Sequence, residues 1–173
     1  MKMKLPKVIL TDIDGVWTDG GMYYDQFGNE LKKFNTSDSA GVILAHKLNI
    51  PVGIITGEET EIVRRRAEKL NIDYLYQGIT NKLIKVKEIC QKLHCGLEDV
   101  AYIGDDIGDM SVLSAVGLSA TPVQSPTYVK ECAKYVMRKK GGEGVFREFV
   151  EFIISDLCEN SIRSILVSND HER

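Results

Sequence analysis

The sequence predicts an α/β fold, an open parallel sheet with helices on both faces. Three observations carry that prediction. Short apolar runs of β-type residues alternate with longer stretches of helical pattern, the arrangement of strand–helix–strand units. A chain of 173 residues, 43% of them apolar, is one domain large enough to bury a substantial core. The apolar runs also end in polar residues, and open parallel sheets bind ligands where their strands end.

The elements follow in order. Lys7–Asp12 reads as the first strand, its Val8-Ile9-Leu10 run aimed into the core. Met22–Asp25 and Leu31–Phe34, either side of Gln26-Phe27-Gly28-Asn29, read as a β-hairpin inserted directly after it, at about 20–35. Ser37 or Asp38 can cap a helix running to about Leu48. Pro51–Thr56 is the second core strand, and Glu58–Leu70 a charged helix with Val63, Ala67 and Leu70 on one face. Tyr74–Gln77 is a short strand, and a helix follows from Asn81 to Leu93. Val100–Gly104 is a buried strand and Gly108–Val116 a helix. A strand near Leu118, a helix after Pro126, a strand at Tyr135–Met137 and a helix from Gly144 to about Leu157 complete one domain, 1–158. The weakly patterned segment 159–173 is expected to be a mobile tail.

Composition excludes several classes. A net charge of -3 argues against nucleic acid or an acidic membrane surface as the main partner. No apolar stretch approaches the ~20 residues of a membrane span, and no signal-peptide core follows the first residues, so a cytoplasmic protein is expected. Cys90, Cys95, Cys132 and Cys158 form no CxxC pair and read as buried free thiols. His46, His94 and His171 are scattered, which leaves histidine-based catalysis without support.

What remains is a constellation at one sheet edge. Asp12 and Asp14 follow the first strand, Thr56 ends the second, and Asp105, Asp106 and Asp109 follow Val100–Gly104. Lys82 opens a helix that can reach the same rim. Crowded carboxylates repel one another unless a cation neutralises them, and Mg²⁺, a hard ion with oxygen ligands, is the expected one. An ionised Asp beside such an ion can attack an electrophile. A threonine hydroxyl and a lysine ammonium suit the oxygens of a phosphoryl group, and a second Asp can move protons. Together these parts describe phosphoryl transfer through an aspartyl-phosphate. An acid-lined receiver domain phosphorylated by a partner is the competing reading of the same carboxylates.

The residues LTDIDG, the Thr ending PVGIIT, Lys82 and GDDxxD at Gly104–Asp109 resemble, in order, the four motifs of the haloacid dehalogenase superfamily. The resemblance spans about residues 7–150. It implies a Rossmann-like core with Asp12 as nucleophile and Asp14 as general acid/base. Thr56 and Lys82 would bind phosphate, and Asp12, Asp105 and the Asp14 backbone carbonyl would ligate Mg²⁺. Asp106 and Asp109 would support those ligands. Asp14 to Thr56 and Thr56 to Lys82 leave no room for a cap domain.

DGVWTDG, the hairpin and RKKGGEGVFREF (Arg138–Phe149) further resemble the capless, tetrameric branch that includes 3-deoxy-D-manno-octulosonate 8-phosphate phosphatases. That implies a homotetramer whose hairpins join and whose subunits complete one another's sites. GEETEIVRRRAEKL looks like the branch acting on 2-keto-3-deoxy-nononic acid 9-phosphate. This nine-carbon sugar acid is the expected substrate, with Gly57, Glu58, Arg66 and Lys69 joining Thr56 and Lys82 in binding it. A solvated, salt-bridged helix face explains Glu58, Arg66 and Lys69 equally well. The eight-carbon phosphate is the alternative substrate. A non-catalytic tetramerisation module, like those fused to cytidylyltransferases, is the alternative of a different class.

Overall fold

In the computed structural model, which describes residues 4–155, six parallel strands form one sheet. The strands are β1 (Val8–Thr11), β4 (Val52–Ile55), β5 (Tyr74–Tyr76), β6 (Val100–Ile103), β7 (Leu118–Thr121) and β8 (Tyr135–Val136), in spatial order β5-β4-β1-β6-β7-β8. Strand β1 sits in the middle, pairing Ile9 with Val52 on one side and with Ala101 on the other. Having neighbours and covering helices on all sides, β1 is buried throughout, which is why it reads as an unbroken apolar run. Strands β2 (Tyr23–Tyr24) and β3 (Glu30–Leu31) form the separate hairpin.

The helices are α1 (Ser37–Lys47), α2 (Glu61–Lys69), α3 (Lys82–Leu93), α4 (Met110–Ala115), α5 (Thr127–Lys130) and α6 (Val145–Ile154). Alternation along β1 divides the core. Ile9 faces a cluster containing Val42, Val63 and Phe149 from α1, α2 and α6. Val8 and Leu10 face Val86, Leu113 and Val129 from α3, α4 and α5. Among the described residues no helix is long and apolar enough to cross a membrane. The sequence-predicted tail 159–173, which holds His171, lies outside the described residues, as does Cys158. Of the expected buried thiols Cys90 is buried, whereas Cys95 and Cys132 are only half-buried, at the margin of the core; all three are free.

Three local expectations change. The hairpin strands shrink to two residues each, because no third strand extends the pairing. Asp25 closes the turn instead, its carboxylate accepting from the backbone N–H groups of Phe27 and Asn29 at 2.8 and 2.9 Å. Neither Ser37 nor Asp38 caps α1: Thr36 occupies that position, and Asp38 turns inward to accept the Arg147 N–H at 3.1 Å. It thereby ties α1 to the start of α6, at the crossing where a side chain on Gly41 would come 3.0 Å from the Arg147 backbone. The charged helix begins at Glu61 rather than Glu58, since Thr60 caps it by accepting the Val63 N–H. Glu58 is therefore left in the loop after β4.

The turn after β1 is anchored by Trp17. Its fully buried indole stacks on Phe146 with ring centroids 4.7 Å apart and donates to Thr11 Oγ1 at 3.0 Å. Its side chain thereby packs the turn against α6. Replacing it by Ala should cost about 3–5 kcal/mol, the range for truncating a buried aromatic, and urea unfolding measures this directly. The glycine-rich segment braces the same turn. Gly141 packs where a Cβ would meet the Gly15 carbonyl oxygen at 2.0 Å, and Gly142 donates to the Val16 carbonyl at 3.0 Å.

Candidate active site

At the carboxyl ends of β1, β4 and β6 lies an open cavity of about 360 Å³. Of the residues singled out in the sequence, Asp12, Asp14, Thr56, Gly57 and Glu58 line it from the β1 and β4 sides. Lys82 closes it from the start of α3, and Asp105, Asp106 and Asp109 from the loop after β6. Arg66 and Lys69 do not line it. Lys69 is exposed on α2, while Arg66 lies over the Phe34 ring and donates to Ser39 Oγ at 2.9 Å. Helix α2 begins three residues after Glu58 and carries both side chains away from the cavity.

Lys82 is the electrostatic centre. Its ammonium, almost wholly buried, lies 2.7 Å from Asp109 Oδ1 and 3.0 Å from Asp12 Oδ1. Burial works against its charge, but the two carboxylates outweigh it and hold its pKa above the ordinary lysine value. The sequence places it there because Asn81 caps α3, accepting the Ile84 N–H, so that position 82 begins the helix at the rim.

Asp109 is saturated with hydrogen bonds. Its Oδ1 accepts from Lys82 and from the buried Tyr102 hydroxyl at 2.5 Å, and its Oδ2 from the backbone N–H groups of Asp105 and Asp106 at 3.0 and 3.2 Å. It thus holds the β6 loop in shape. Gly104 permits this, since a Cβ there would meet the Asp109 carboxyl carbon at 2.3 Å.

Asp12 and Asp105 are in the opposite condition. The Oδ1 atoms of both are buried without a hydrogen bond; the Lys82 ammonium reaches Asp12 Oδ1 only as an ion pair. Oxygen atoms of Asp12, Asp105 and Asp109 lie within 4.8 Å of one another. Orphaned carboxylate oxygens so close together fit a hard divalent cation, with Asp12 and Asp105 as the free donors. Gly15, at φ +80°, gives Asp105 its place, for a Cβ there would fall 1.8 Å from Asp105 Oδ2.

Burial raises the Asp12 carboxyl to about 7, with repulsion from Asp109 adding to it and Lys82 opposing. Burial, then Asp12 and Asp109, raises Asp105 to about 8. Both folded-state values exceed those of an unfolded Asp, so the metal-free fold binds protons more tightly than the unfolded chain. Its stability should therefore increase as pH falls from above 8 to below 7. A melting temperature about 5 °C higher at pH 6 than at pH 8 is expected without metal. Added Mg²⁺ should stabilise more at pH 8 than at pH 6; thermal scans at both pH values, with and without Mg²⁺, check this. Asp38, raised to about 6 chiefly by burial, contributes with the same sign.

The sequence reading missed Lys32. From the residue after β3 its ammonium reaches both Asp14 oxygens at 2.7 Å and Glu58 Oε2 at 2.6 Å. Thr18 Oγ1 adds a longer contact to Asp14 Oδ1, at 3.3 Å. Thr18 lies in the DGVWTDG stretch, but no motif marks Lys32, and only the folding of the hairpin back over the loop brings it there.

Residues 59–149 match the model of the haloacid dehalogenase-like hydrolases. The 3-deoxy-D-manno-octulosonate 8-phosphate phosphatase of Yersinia pestis is 40% identical over 148 residues, covering 86% of this chain and 79% of that protein. The chain belongs to the haloacid dehalogenase-like hydrolases. Solved structures agree along nearly its whole length. A probable YrbI-family phosphatase from Pseudomonas syringae superposes with a TM-score of 0.89 at 38% identity, covering 94% of this chain and 93% of the other. The Moraxella catarrhalis 3-deoxy-D-manno-octulosonate 8-phosphate phosphatase, solved with magnesium, phosphate and KDO, gives 0.88 at 30% identity, with 94% and 92% covered. The hydrolase core expected from the four motifs is therefore present, with a hairpin and no cap domain between its core strands.

Proposed function

We propose that this hydrolase is a Mg²⁺-dependent phosphatase of 2-keto-3-deoxy sugar-acid phosphates, its substrate the eight-carbon 8-phosphate. The observation that carries the chemistry is the pairing of orphaned Asp12 and Asp105 oxygens beside the Lys82 ammonium. The names of the relatives at about 40% identity support the eight-carbon substrate. The nine-carbon 9-phosphate read from the sequence is a second possibility, favoured by Glu58 standing in the cavity. It draws less support from Arg66 and Lys69, which the protomer turns elsewhere.

Asp12 and Asp105 would hold the ion, with the Asp14 backbone carbonyl. When bound, Mg²⁺ offsets the carboxylates' charge and polarises the phosphoryl oxygens. Lys82 and Thr56 bind those oxygens. A carboxylate oxygen of Asp12 attacks phosphorus, the P–O bond to the sugar breaks, and the leaving oxygen takes a proton from the Asp14 carboxyl. The Asp14 carboxylate then removes a proton from water, whose oxygen attacks phosphorus and breaks its bond to Asp12. Inorganic phosphate leaves and Asp12 is regenerated.

The hairpin supports a homotetrameric assembly. Met22, Tyr23, Tyr24, Phe27 and Leu31 expose a run of large apolar surface on a two-stranded element with free edges. Sedimentation velocity on the wild type and on Tyr24→Glu tests this, a monomeric wild type overturning it. For the substrate, kcat/KM is measured on the eight- and nine-carbon phosphates with and without Mg²⁺. Preference for the eight-carbon ester is expected; preference for the nine-carbon ester reverses the choice. Lack of Mg²⁺-dependent phosphate release from either overturns the reading, and beside a stable tetramer it would favour a scaffold role.

A further inference from the structure

Lys32 is an unusual lysine for a surface hairpin. Its side chain is only 2% exposed, whereas the next residue, Lys33, leaves its side chain 67% exposed. Burying an ammonium is costly unless its donors are satisfied, and here three short contacts satisfy it. Two go to the two oxygens of Asp14 and one to Glu58; Glu30 lies at the limit of ion-pair range, 4.0 Å. Among the described residues Asp14 has little else to fix it, since its one other side-chain hydrogen bond is the 3.3 Å one from Thr18. By contrast, Asp109 is clamped by bonds from Lys82, Tyr102 and two backbone amides.

A carboxyl group that must present one oxygen first to a leaving group and then to water depends on a held direction, because proton transfer falls off steeply with misplacement. We infer that Lys32, carried by the hairpin, is a positioning residue that sets the direction of the Asp14 carboxyl, with Glu58 as its second anchor. The inference rests on the proposed role of Asp14. The hairpin is then part of the catalytic machinery as well as an assembly surface. Lys32 need not touch the substrate, so its removal acts on kcat through Asp14 and leaves KM nearly unchanged.

A double-mutant cycle with Asp14→Asn separates this from a purely structural role. Lys32→Ala should lower kcat on the sugar-acid phosphate by about 10–100-fold, the range for a general acid–base contribution partly lost. In the Asp14→Asn background the same change should cost less than about 2-fold, since the group it positions is already gone. Lys32→Arg, which can still donate to both Asp14 oxygens, should recover most of the loss. Thermal scans accompany each variant, and Lys32→Gln replaces Lys32→Ala if the latter does not fold. Equal losses in both backgrounds would overturn the inference, as would a wild-type kcat for Lys32→Ala or a KM increase that accounts for the whole effect. A wild-type chain that releases no phosphate would instead overturn the proposed function, so the two failures are distinguishable.

Discussion

Asp12→Asn is expected to cut kcat by about 10⁵-fold or more, because an amide oxygen cannot form the aspartyl-phosphate that divides the reaction into two steps. The variant should fold, and its stability should rise rather than fall. Asp12 is almost wholly buried and repelled by Asp109, which together raise its carboxyl to about 7, so at pH 8 the ionised group opposes folding in the metal-free chain. Its isosteric amide removes that charge and leaves Lys82 paired with Asp109 at 2.7 Å. Phosphate release at saturating substrate and melting scans at pH 8 without metal are the two measurements. Full turnover in Asp12→Asn would sink the mechanism. A lower melting temperature would mean that the Lys82–Asp12 pair contributes more than the burial of the carboxylate costs.

Lys82→Met should damage both stability and activity. Lys82 is the only cation in contact with Asp12 or Asp109 among the described residues. Removing it leaves two buried carboxylates facing each other, and the expected destabilisation is about 3–5 kcal/mol near pH 8. The loss should shrink towards pH 6, where protonation relieves the repulsion. The phosphoryl oxygens also lose their ammonium, for which a fall in kcat/KM of about 10³-fold is proportionate. Urea unfolding at the two pH values, beside kinetics in Mg²⁺, separates the effects. A loss of stability independent of pH would show that repulsion between Asp12 and Asp109 does not carry it, since methionine keeps an apolar stem.

Asp12, Thr56, Asp105 and Lys82 were legible in the sequence for one reason: each sits where a regular element begins or ends. A buried strand that stops in a carboxylate, or a capped helix that opens with lysine, leaves few choices about where the side chain goes. Glu58 was legible as a candidate but misplaced. Taking it as helical put it on a face with Lys69, whereas capping by Thr60 leaves it in the cavity loop. Arg66 shows the limit from the other side. A charged residue on an exposed helix is free to serve a ligand until the tertiary structure supplies Phe34, the Asn35 carbonyl and Ser39 as partners.

The amino-acid sequence determined the sheet, the order of its strands along the chain, and the arrival of Asp12, Asp14, Thr56, Asp105 and Lys82 at one edge. Those features follow from local hydrophobic pattern and from short-range capping, which need few long-range contacts to be read. Only the tertiary structure decided which carboxylates are satisfied and which are orphaned. Asp109 and Asp105 are four residues apart in the same acidic loop. One accepts four hydrogen bonds, while the other keeps a buried oxygen free for a cation. It also decided that Lys32, eighteen positions beyond Asp14, would be buried against it. The physical reason is the same in both cases. Hydrogen-bond partners in a buried site are assigned by contacts between distant segments, and residue types along the chain do not encode that pairing.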